Sequence, residues 1–170
     1  IITEEVIDEM IGAYFVDNFV RIFLEYEGNF IEVYRQSINY SAYYYEKWSN
    51  PKLLKPKWYK IVENSVVDNI TEEREYITIN VAKSLLKYES LSFSSFDVPN
   101  EYKIVNQSNY DVKLVWNESY SAFIMSEGKI ISKDINVGIL EDTTQTVDYL
   151  LNLTGKYYKV IDKNKRTMYV

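Results

Sequence analysis

The sequence contains no cysteine and no histidine. Without a thiol there is no disulfide framework, no thiolate zinc site and no cysteine nucleophile. Without an imidazole there is no Ser-His-Asp triad and no histidine general base. Positive charge is short as well. Nineteen Lys and Arg stand against 25 Asp and Glu, a net charge of -6, whereas a nucleic-acid surface needs clustered excess cations. Within these residues no apolar run approaches the roughly 20 that cross a membrane, and no signal-peptide pattern occurs. Glycine and proline number five and three in 170 residues, so long elements joined by polar loops are expected.

What is present is a globular balance, 46% apolar and 26% charged, at a length suited to one domain spanning 1–170. Seventeen tyrosines are the unusual feature. Tyrosine favours strands and gives large amphipathic contact area. Five Asn-x-Ser/Thr triplets, at Asn39, Asn69, Asn106, Asn117 and Asn152, are expected by chance in so Asn- and Ser-rich a chain. The chain opens on Ile1, and a piece trimmed of a signal or anchor is the expectation. The lack of cysteine fits the surface of a Gram-positive bacterium, and also the cytoplasm.

Thr3 with Glu4 and Glu5 has the character of a helix start. Ile7, Met10, Ile11, Tyr14, Phe15, Phe19, Ile22, Phe23 and Tyr26 then recur at three-four spacing, which predicts a helix over 4–26. Gly28 and Asn29 end it. Ile31, Tyr34, Ile38, Ala42 and Tyr45 predict a second helix over 29–48. Pro51 and Pro56 punctuate a basic loop. Strands are expected at 58–62, 76–82 and 111–116. Hairpins are expected over 122–131, turning at 126–129, and over 147–162, with a last strand at 167–170. The stretch 90–100 reads as a loop. Helices segregated from an antiparallel sheet mean an α+β fold, two N-terminal helices (4–48) packed on a bent sheet (58–170).

That order resembles the cystatin-like, nuclear-transport-factor-like cone superfamily. Its members often end on a Gly-x-aromatic-Lys-Ile/Val-x-Asp strand, matched here by Gly155, Tyr157, Lys159, Val160 and Asp162. Phe30, Val33, Ser37, Tyr40, Tyr44 and Trp48 are similar to the extracytoplasmic domain of a conjugation-channel assembly subunit of type IV secretion systems. The resemblance covers about residues 10–50. The helical and sheet module preceding amidase domains in Gram-positive cell-wall proteins is a second relative. Either resemblance implies a domain outside the membrane, held by an anchor beyond this segment, with other protein subunits or its own copies as partners.

Among candidate sites, Tyr40, Tyr43, Tyr44 and Trp48, with Trp58 and Tyr59, form the sharpest local cluster. Tyr and Trp dominate binding hot spots, so these six are the partner-binding candidates. Lys52, Lys55, Lys57 and Lys60 beside them read as a solvated loop. Glu25, Glu27 and Glu32, and Glu72, Glu73 and Glu75, read as solvated faces. Asp111, Asp134 and Asp162 read as surface positions. Glu141, Asp142, Thr143 and Thr144 offer oxygen ligands without a calcium-loop pattern. No catalytic residue, metal site or cofactor is assigned. The leading expectation is a non-enzymatic assembly module. A carbohydrate or cell-wall binding module is the rival, and a cone enzyme using Tyr and Asp the third. A flat row of exposed aromatics would favour sugar, and a large apolar patch would favour assembly.

Overall fold

Strand replaces helix over the first fifty residues. The computed structural model describes residues 1–10, 14–26, 28–73, 76–91, 97–151 and 153–170. Seven strands form one antiparallel sheet in simple sequence order. They are β1 (Ile2–Glu9), β2 (Phe15–Tyr26), β3 (Asn29–Tyr45), β4 (Trp58–Glu73), β5 (Tyr76–Ser90), β6 (Tyr102–Asn117) and β7 (Ala122–Ile124). A second antiparallel sheet has the order β11-β10-β9-β8. Its strands are β8 (Ser126–Ile130), β9 (Ile135–Asp142), β10 (Tyr158–Asp162) and β11 (Thr167–Tyr169), with helix α1 (Thr144–Leu151) between β9 and β10.

The fold is therefore mainly β, 68% strand against 9% helical, and neither N-terminal helix of the expected α+β cone exists. Residues 11–13 and 27 of that span lie outside the described residues. The physical reason lies in β2, where alternation puts Phe15 and Phe19 on one face and Val20 and Ile22 on the other. A strand apolar on both faces supplies matches to a helical period by accident. The composition (Val, Ile, Phe, Tyr, few Ala or Leu) is that of a strand. Gly28, read as a helix cap, has φ of 77° and lies in the turn where Tyr26 pairs with Asn29.

Two later expectations also change. Residues 122–131 are not a hairpin. β7 pairs with β6 in the large sheet, while β8 pairs with β9 and places Gly128 mid-strand opposite Val137. The segment from Val147 falls in α1, not in a strand. The Asp142 carboxylate accepts the Thr144 N–H at 2.9 Å, and the Val147 N–H reaches the Thr143 carbonyl at 2.9 Å. Asp142 and Thr143 thus satisfy backbone donors at a helix start. Residues 92–96 of the expected loop, and Asn152, lie outside the described residues.

The large sheet divides. β3 pairs with β4 only from Asn39 opposite Asn64 to Tyr45 opposite Trp58. The first half of β3 continues with β2 alone. The second half of β4 continues with β5 alone, as far as Glu73 opposite Tyr76. Two register shifts between β2 and β3 mark bulges, which bend a strand and increase its twist. The two limbs turn toward each other, and Val33 and Tyr34 pack on Ile79, Val81, Val112, Leu114 and Phe123.

The second sheet and α1 lie against this large sheet. Tyr149 of α1 packs on Ala42, Ile61 and Leu85. Ile161 of β10 joins Tyr120, Ala122 and Ile124. At that junction Gly138 leaves no room for a side chain, since a Cβ there would stand 2.8 Å from Ile124 Cγ2. Among the described residues no helix is long and apolar enough to cross a membrane.

Candidate functional site

The six aromatic candidates do not share one surface. Trp58 opens β4 and is 1% exposed. It stacks on Tyr45, centroids 4.8 Å apart and planes 18° apart, which withdraws it from any outside partner. Trp48 follows β3 in a single 3-10 turn and is 49% exposed. Its ring meets Tyr14, Tyr44 and Trp58 at 46°, 84° and 79°. These rings form a knot of tilted and edge contacts, not the flat row that stacks on sugar. Tyr44 and Tyr59 are cross-strand partners. The Tyr59 hydroxyl donates to Glu46 at 3.2 Å, and burial with that carboxylate pushes its pKa up to about 12. Tyr43 lies edge-on to Tyr102 at 6.2 Å, under the Lys60 ammonium at 5.2 Å. Tyr40 stands apart, on the inner side of β3 against Phe15.

Between the two sheets the pairing registers align polar residues on the inner face of the large sheet. Tyr40, Glu63, Leu85 and Ser108 make one row across β3 to β6, and Ser65, Lys83 and Tyr110 make the next. The Lys83 ammonium donates to Glu63 at 2.7 Å and to Glu141 of β9 at 2.6 Å. Lys83 and Glu63 side chains are 3% and 7% exposed, and Glu141 is 32% exposed. Thr146 of α1 donates to the second Glu63 oxygen at 3.4 Å. Gln36 donates to Ser65 at 3.2 Å. One buried cation thus ties β4, β5 and β9 together.

Burial disfavours each charge, and geometry decides which wins. For Lys83 burial acts to lower the pKa, but Glu141 and Glu63 together outweigh it and hold the ammonium well above its ordinary value. For Glu63 burial prevails over the pull of Lys83, and the carboxyl is raised. Tyr34, Tyr40 and Tyr110 nearby are each pushed up to about 12, burial being the main cause. Lys83 is thereby held as a cation between two carboxyl groups.

Three cavities open around this cluster, of about 410, 320 and 310 Å³. Gln36 and Glu141 line all three. The largest lies between the β3 limb, β7 and the second sheet, with Val33, Leu114, Phe123 and Ile161 in its wall. Tyr40 lines the third, with Asp17 and Glu63.

Sequence reasoning assigned nothing to Lys83, Glu63, Gln36 or Tyr34. A signal was present, because Lys83 falls in phase with Ile79, Val81 and Leu85, and Glu63 in phase with Ile61. A charge on the apolar phase of a strand needs a buried partner. Other sequence candidates have structural partners. Asp162 is 2% exposed, not a surface residue. It accepts the Arg166 and Asn164 N–H groups and the Arg166 guanidinium, which hold it below the usual carboxylate range. Glu32 pairs with Arg21, and Lys57 with Glu89. Glu72 lies in the exposed outer part of β4, while Arg74 and Glu75 lie outside the described residues. Among the described residues no group of acidic side chains is disposed to hold a metal ion.

Comparison with family models, with curated proteins and with solved structures gives no match, so nothing identifies a cystatin-like or secretion-channel family here.

Proposed function

We propose that this domain is a non-enzymatic protein–protein assembly module that associates with a second copy of itself. The observation that carries the reading is the outer half of β4. From Ser65 to Glu73 it has a strand on one side only, among the described residues. It exposes Val66 by 65% and Ile70 by 60%, and its partner β5 exposes Tyr76 by 57%. An unpaired edge with exposed apolar side chains is a template for strand addition. The edge is also self-complementary. Antiparallel pairing about Asn69, at the register shift between Val67 and Asn69, sets Val66 opposite Glu72, Val67 opposite Thr71 and Asp68 opposite Ile70, with no like charges facing. The non-enzymatic part rests on Lys83 and Glu63, whose charges are engaged with one another.

Sedimentation velocity across a concentration series tests it. The wild type is expected to form a dimer. The double variant Val66→Lys, Ile70→Lys is expected to be monomeric with an unchanged melting temperature. A wild type that stays monomeric throughout, or a double variant that still dimerises, would overturn it.

A further inference from the structure

The largest cavity is independent of the β4 edge, and its chemistry is asymmetric. Its wall is apolar, with Val33, Leu114, Phe123 and Ile161. Its polar groups divide by whether they are already engaged. Glu32 is committed to Arg21, and Glu141 to Lys83. The cations are less committed. Arg35 lies over the Phe19 ring at 3.8 Å and meets Asp17 at 3.8 Å, which leaves Lys159 and Lys165 as the freer pair. Lys159 and Lys165 line the cavity, and neither has an ion-pair partner among the described residues. Burial lowers the Lys165 ammonium, so a nearby anion would favour its charged form.

A second observation points the same way. Tyr34 lines this cavity and is 5% exposed, yet its hydroxyl has no hydrogen-bond partner among the described residues. Its ring is fixed edge-on against Phe123 at 6.1 Å and 81°. Buried hydroxyls are nearly always paired. An orphan hydroxyl in a cavity of ligand size, walled by apolar groups, is the arrangement of a binding pocket with one polar anchor.

We propose that this cavity binds a small amphipathic anion, an apolar body with a single carboxylate or phosphate head. The body lies on Val33, Leu114 and Phe123. The head is held by Lys159 and Lys165 with Arg35, and the Tyr34 hydroxyl gains its missing partner.

Calorimetric titration of the whole chain with dodecanoate, dodecyl phosphate and dodecylammonium, each below its micelle concentration, tests this. One anion is expected to bind at one per chain, and the stronger of the two identifies the head. Lys159→Glu should weaken it at least fivefold, and Tyr34→Phe should weaken it with the melting temperature retained. Dodecylammonium binding as tightly as the anions would overturn the proposal. So would no heat with either anion, or unchanged affinity in a Lys159→Glu variant that melts as the wild type does.

Discussion

The two halves of β4 share a β-branched, mixed composition and meet opposite fates. From Tyr59 to Asn64 the strand has β3 on one side and β5 on the other, with α1 and the second sheet across its inner face. There Ile61 is 0% exposed, and even Glu63 is buried. From Val66 onward β3 has turned away, and the apolar side chains stand in solvent. The difference is not propensity. It is the number of neighbours, two ladders and a covering layer against one ladder and none. Cover makes a glutamate interior, and its absence leaves an isoleucine outside.

The most severe way to break the interior half is Lys83→Met. It leaves Glu63 and Glu141 without their shared cation, and removing one partner of a buried pair costs about 3–5 kcal/mol. Urea denaturation is expected to show a loss of that size. A loss under about 1 kcal/mol would mean that the cluster is well hydrated and that the contrast with the outer half is overdrawn.

Glu63 gives a smaller, pH-dependent test. Burial raises its carboxyl, so the folded state binds that proton more tightly than the unfolded chain does. Its contribution is most favourable at acid pH and declines as pH rises through the folded value. Glu63→Gln lacks this slope. As the pH falls from neutral toward the ordinary carboxylate range, the wild type is therefore expected to gain stability relative to the variant. The opposite direction would show that the Lys83 pair outweighs burial. At the outer half, Val66→Lys with Ile70→Lys is expected to change stability least, within about 0.5 kcal/mol per site. Its effect belongs in the dimer signal alone.

Legibility in the sequence followed the same divide. Strands were readable where one face is dry and the other wet. The alternation at 76–82 lies within β5 and that at 111–116 within β6. Reading failed where both faces of a strand are apolar, as in β2, because three-four spacing and alternation then fit the same residues. It failed again at Val147, where an apolar run is too short to arbitrate and the deciding contact is Asp142 on the Thr144 N–H. For the site, the aromatic cluster was visible but its packing was not, since only the fold sends Trp58 inward and Tyr40 into the cleft. Lys83 and Glu63 were legible as charges on an apolar phase. Glu141, 58 residues from Lys83, has no local signal.

That separation also orders events in time. Each strand of the large sheet pairs with its immediate successor in the chain, so the sheet can assemble hairpin by hairpin as the chain emerges. Lys83 finds Glu63 within such a hairpin, 20 residues away. It waits for Glu141, and Glu63 waits 83 residues for Thr146. Until β9 and α1 arrive, the ammonium can remain hydrated, and its dehydration falls to the last step of folding. Glu141→Gln is therefore expected to speed unfolding and leave the folding rate nearly unchanged in stopped-flow measurements. Slower folding instead would place the second sheet early. If the folding rate is unchanged, the ion pair at the centre of the molecule is the latch that closes after the sheet is built, and the first contact to open when it comes apart.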